Sequence, residues 1–196
     1  MASSNCFSDS FSCTGRMARK TFDRNAANPP AFEIFHNTVT EGYPEHWHTA
    51  IEIIMPTRGE YEVVVGKDSY NLKEGDIIMI NSGVVHGMRF VSQGERIVML
   101  VEPGCVENQE EMETIFLRLP AIYFKKEDEE DPFYLFLRSQ ILELVREYDN
   151  EGAVMTHRIC TGLKELFSEF GRKGFSDANA QNTFGAMKQQ EYIEAV

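Results

Sequence analysis

No apolar run in this chain approaches the roughly 18 residues that a membrane-crossing helix needs, and no continuous apolar segment near the N-terminus has the form of a secretory signal. The first reading is therefore of a chain without a membrane partner. Cysteine is sparse: Cys6, Cys13, Cys105 and Cys160 stand far apart, with no C-x-x-C pair. That spacing excludes a zinc knuckle and a thioredoxin-like motif and predicts free thiols in a cytoplasmic protein. Basic charge is also scarce. Nineteen Lys and Arg face 31 Asp and Glu, a net charge of −12, and the basic residues form no concentrated patch, which argues against direct binding of nucleic acid by this chain.

What is present is ordinary globular material, 42% hydrophobic and 26% charged, enough to bury a core. The Ser-rich residues 1–28 read as a disordered tail. Residues 29–104 read as short strands, among them "AFEIFHN", "AIEIIM", "YEVVV", "YNLKEGDIIMI" and "ERIVMLVEP", broken at "TRGE" and "GKDS" by glycine-bearing turns. Within 105–175 the period changes to that of helices. Phe133, Leu137, Ile141, Leu144 and Tyr148 mark one helical face after the start signal Asp131–Pro132, and Met155, Ile159, Leu163, Phe167 and Phe170 mark a second after the break "DNEG". Two helices so joined predict an antiparallel hairpin. Its apolar faces predict packing on the barrel, pairing with a second copy of the chain, or both. Residues 176–196 read as a polar linker and the first turns of a further helix.

The segment "EHWHTAIEI" carries the chemistry. His46 and His48 lie two apart and Glu52 four further on, in what reads as a β-strand, so the histidines share a face. Two imidazoles and a carboxylate so placed can hold a metal, hold a polar ligand, or satisfy one another. Trp47, between the histidines, is expected to point to the opposite face. His36 and His157 are isolated and read as surface or structural residues, while alternation leaves the facing of Tyr61 open.

The pattern H-x-H-x3-E at His46, His48 and Glu52, followed by Gly59 and then by "GDIIMINSGVVH" with Gly75, Gly83 and His86, resembles the two signature motifs of the cupin superfamily. The departures are Asn81 where a proline is usual, Phe90 where an asparagine is usual, and Gly42 closer to the histidines than is common. They concern turns and packing, and all four ligand positions are intact. The resemblance implies a mostly β fold, a cupin double-stranded β-helix (jelly-roll) barrel followed by an antiparallel two-helix appendage. It also implies a divalent transition metal (Zn, Ni, Fe or Mn) held by His46, His48, Glu52 and His86, with Tyr61 a further expected ligand-binding residue.

The order barrel, helix pair, linker, helix start resembles the N-terminal half of an AraC-type transcription regulator. That resemblance implies a small-molecule effector, a sugar or another metabolite, sensed in the barrel. It further implies a homodimer through the helix pair, and contact with DNA only through a helix-turn-helix domain that this chain lacks. The competing expectation is a metal-dependent cupin enzyme: a dioxygenase, isomerase or decarboxylase.

Overall fold

The computed structural model describes residues 32–38, 42–90, 93–105, 120–128, 130–150 and 154–173; the tail at 1–28 and the linker at 176–196 lie outside them. Nine strands form two antiparallel sheets among these residues: β1 (Phe32–Asn37), β2 (Tyr43–His46), β3 (Ile51–Arg58), β4 (Tyr61–Val65), β5 (Asp68–Leu72), β6 (Ile77–Ile80), β7 (His86–Phe90), β8 (Glu95–Val101) and β9 (Ala121–Phe124). One sheet runs β1-β8-β3-β6-β9 and the other β2-β7-β4-β5. Helices α1 (Pro132–Asp149) and α2 (Met155–Lys173) follow.

Strand β3 shows why the sheets stack as they do. Ile51, Ile53 and Met55 point into a core shared with both helices, whereas Ile54, one pleat over, joins Val63, Val65, Leu72, Ile78 and Ile80 between the sheets. A strand buried on both faces cannot alternate apolar with polar, and the run "IEIIMP" does not. Glu52 is the exception on the inner face, and it is buried.

Strand β9 departs from the expected division of the chain. Residues 105–175 were expected to be helical, yet Ala121–Phe124 pairs with β6, from Ile80↔Ala121 to Ile77↔Phe124. The barrel thus draws its edge strand from beyond residue 104. The helices begin and run as the sequence predicts. The Asp131 carboxylate accepts from Phe133 N at 2.8 Å, with Pro132 in the first turn, satisfying one of the helix's otherwise open donors at about 1 kcal/mol. Leu137, Ile141 and Leu144 of α1 and Ile159, Leu163, Phe167 and Phe170 of α2 are all buried against the five-stranded sheet. Ring contacts tie the two together: Phe170 meets Phe133 at 5.0 Å and Phe124 of β9 at 5.9 Å.

Candidate metal and ligand site

His46, His48 and Glu52 converge, but not from one strand. His46 ends β2, a corner carries His48, and Glu52 sits in β3. The fourth member arrives across the sheet, since His46 pairs with His86 at the start of β7. One ligand atom from each of the four lies within 4.8 Å of all the others. Glu52 and His86 are buried, while His46 and His48 are half-buried, so the cluster sits just inside one mouth of the barrel.

The outer nitrogens determine what the inner ones can do. His46 Nδ1–H donates to Pro44 O at 3.0 Å, His48 Nδ1–H to Ala50 O at 2.9 Å and His86 Nδ1–H to Val84 O at 2.7 Å. A carbonyl oxygen only accepts, so each Nδ1 carries a proton and each neutral ring turns the Nε2 lone pair inward. Glu52 Oε2 stands 3.0 Å from His48 Nε2 and 2.8 Å from His86 Nε2. Lone pairs facing a carboxylate are stable only with positive charge between them. Protons on Nε2 supply it by making imidazolium ions, and a divalent cation supplies it for all four groups at once. The donor set, three imidazole nitrogens and one carboxylate oxygen, fits a transition metal, with backbone carbonyls orienting each ring as outer partners commonly do.

Ionisation follows the same geometry. Burial opposes charge on Glu52, yet the hydrogen bonds from His48 and His86 hold its carboxyl at about 2. Burial lowers His86, but the Glu52 hydrogen bond and charge outweigh it and hold the ring above the ordinary histidine value. His46 falls below that value through burial and the neighbouring His86.

Tyr61 is not part of this group. It faces inward and is fully buried, but lies four positions along β4 from Val65, the partner of His86, about 13 Å away at the rise of an extended strand. There the Arg96 guanidinium lies over its ring at 4.8 Å. Trp47 is 62% exposed, pointing away from the barrel interior as alternation predicts. His36 is exposed, 4.0 Å from Asp149, and His157 is exposed on α2. One neighbour went unpredicted: the ring of Tyr43 packs edge-on against His46 at 4.7 Å. Strict alternation would put residues 43 and 46 on opposite faces. The β2–β7 register slips by one residue between them, and such a bulge returns both to one side.

The nine described strands form two antiparallel sheets, with the three-histidine, one-glutamate cluster turned inward between them. Residues 37–102 match the family model described as the cupin domain, and the chain carries a cupin domain there. No curated protein matches the sequence. Among solved structures, apo ToxT from Vibrio cholerae is similar at 11% identity and TM-score 0.51, over 74% of this chain and 58% of that one. A cupin-2 domain protein from Shewanella frigidimarina is similar at 16% identity and TM-score 0.35, over 39% of this chain and 76% of that one. A variant of Bacillus subtilis oxalate decarboxylase is similar at 20% identity and TM-score 0.34, over 40% of this chain and 23% of that one. The chain thus spans little more than half of ToxT, and the likeness to it, reaching past the cupin segment, is one of fold. No helix among the described residues is long and apolar enough to cross a membrane.

Proposed function

We propose that the chain is the effector-sensing and dimerisation half of an AraC-type transcription regulator, in which His46, His48, Glu52 and His86 hold a divalent transition metal that takes part in binding a small metabolite. The observation that carries the reading is the commitment of every Nδ1 to a backbone carbonyl, which leaves three inward Nε2 atoms and a carboxylate around one point. When bound, the metal supplies a Lewis-acidic centre with open positions for an oxygen or nitrogen of the effector. The chain's own residues orient the rings, exclude bulk water through the aliphatic wall of Ile54, Val65 and Ile80, and admit the ligand on the His46 side.

The regulator reading is supported by the way the helix pair is built onto the barrel. The helices and the five-stranded sheet share one apolar core, while Leu135 near the start of α1 and Val154 before α2 remain 50% and 56% exposed, apolar side chains that a second copy of the chain would cover. The same donor set also suits a metal-dependent cupin enzyme. The aliphatic side chains Ile54, Val65 and Ile80 beside the cluster favour binding over turnover, while Tyr43, packed on His46, is a neighbour able to transfer a proton.

Elemental analysis of protein prepared without a metal-scavenging tag, wild type beside His48→Ala, tests the reading. About one equivalent of metal in the wild type and little in the variant is the expected result. Metal in neither sample would overturn the metal site. Turnover of a small acid by the loaded protein would replace the sensor with the enzyme.

A further inference from the structure

We propose that β6 is the strand through which the state of the His–Glu cluster reaches the helix pair, and that Tyr134 is the residue making the connection. The inference rests on the cluster being a metal-responsive centre, as argued above.

Strand β6 is anchored to the cluster at one end and to α1 at the other. At the cluster end, Ile80 pairs with Glu52, and just beyond it Gly83 N–H donates to His48 O at 2.8 Å. At the far end, Gly75 N–H donates to Pro56 O of β3 at 2.8 Å, and Gly75 O accepts from the buried Tyr134 hydroxyl of α1 at 2.8 Å. The next residue, Asp76, is buried and accepts three hydrogen bonds: from Lys73 N at 2.9 Å, from Lys126 N at 2.8 Å and from the Tyr123 hydroxyl at 2.6 Å. The turn is therefore bound at once to β9, to the short 3-10 turn Lys126–Asp128 and to α1.

The backbone of the turn demands glycine. Gly75 has φ +88°, and a Cβ there would stand 2.8 Å from Lys126 Cδ and 3.4 Å from the Tyr134 oxygen. Between the two anchors, Ile77, Ile78, Met79 and Ile80 are all fully buried. A packed, extended strand held at both ends moves as a unit, because neither slack backbone nor empty space is there to absorb a shift. Glu52, His48 and His86, now hydrogen-bonded to one another, would give up those bonds in holding a divalent cation. The two states differ at the residues that pair with and hydrogen-bond the end of β6, the differential contact that coupling requires.

A second helix-to-barrel contact provides the control. The Tyr148 hydroxyl of α1 meets the backbone of Ile34, on β1, which reaches β3 only through β8. If β6 is the route, Tyr148 is not needed for it.

The test uses the full chain, with Zn(II) as the probe, reading affinity by calorimetry and amide exchange by mass spectrometry. In the wild type, Zn(II) slows exchange in β3, in β6 and in the first turns of α1, by about fivefold or more in the helix. Tyr134→Phe is expected to bind Zn(II) within about twofold of wild type and to keep the protection of β3 and β6, which also shows that it is folded, while losing the response in α1. Tyr148→Phe keeps all three. An α1 response that survives in Tyr134→Phe, or that Tyr148→Phe loses equally, would overturn the proposal. If wild type binds no Zn(II), the metal reading has failed and this inference falls with it.

Discussion

Glu52 Oε2 lies 2.8 Å from His86 Nε2, although 34 residues separate the two in sequence and they belong to different sheets. The same oxygen lies 3.0 Å from His48 Nε2. One carboxylate thus bridges two rings whose outer nitrogens are already committed to carbonyls, which makes Glu52 the centre of the cluster's charge balance.

Glu52→Gln removes that charge at nearly constant volume. Loss of a direct metal ligand should cost more than the 10–100-fold typical of an outer-shell change, so divalent-metal affinity is expected to fall by more than about 100-fold. Competition against a chromophoric chelator reads the change directly. Affinity within tenfold of wild type would show that the carboxylate is not a ligand.

The pH dependence of the metal-free protein follows from the same pair. The folded-state value of Glu52, about 2, lies below its ordinary 4.5, so its contribution is full above about pH 4.5 and is lost as pH falls toward 2; a shift of this size corresponds to on the order of 3 kcal/mol. His86 is raised, so its contribution is full below about pH 6.5 and is lost as pH rises through its folded value. His46 is lowered, so protonating it below about pH 6.5 costs stability. Urea titrations across pH 3–9 are therefore expected to give a maximum between the Glu52 and His86 limbs, and Glu52→Gln to flatten both. Metal must also displace the His86 proton, which is held more tightly than on an ordinary histidine, so on acidification affinity should start to fall while the pH is still above 6.5, with proton release measurable in buffers of different ionisation enthalpy.

How much of this was legible in the sequence depended on how local the determinant was. His46, His48, Glu52 and His86 could be named because ligand chemistry and spacing coincide in a β context, and the helices because Asp131–Pro132 and a 3.6-residue apolar period are strong local signals. Strand β9 was not read: it is four residues long, opens directly after Pro120, and is specified by pairing with β6. The place of Tyr61 stayed open for a different reason. Sequence settled neither its facing nor its level along the barrel, and that level depends on register with β7. Tyr43 escaped because a bulge breaks the parity on which the reading relies.

Gly94 closes the end of the barrel opposite the cluster. A Cβ on it would stand 2.2 Å from Arg58 O and 2.9 Å from the Tyr61 hydroxyl. The nearer obstacle is backbone, which cannot rotate away. Gly94→Ala is expected to destabilise the fold by about 2–3 kcal/mol through forced displacement of the β3–β4 connection, measured as a lower urea midpoint. Metal affinity should hold within a few fold, since the cluster sits at the other mouth. A loss below 0.5 kcal/mol, on the order of a neutral surface change, would show that the connection yields freely.

The exposed face of the helix pair gives the last prediction. Leu135 on α1 is half exposed, whereas Leu137 two positions on is fully buried in the core. Leu135→Lys therefore alters the outer surface without disturbing the packing beneath it, and should change monomer stability by no more than about 0.5 kcal/mol. If the helix pair is the dimer surface, wild type sediments as a dimer at micromolar concentration and Leu135→Lys as a monomer, because a lysine placed in an apolar contact must either be desolvated or hold the surfaces apart. Leu137→Ala, by contrast, should cost about 2–5 kcal/mol by opening a cavity between α1 and the sheet, lowering the unfolding midpoint in both monomer and dimer. Sedimentation and thermal melts on the two variants separate the roles. A Leu135→Lys protein that remains dimeric would place the contact on another face of the barrel.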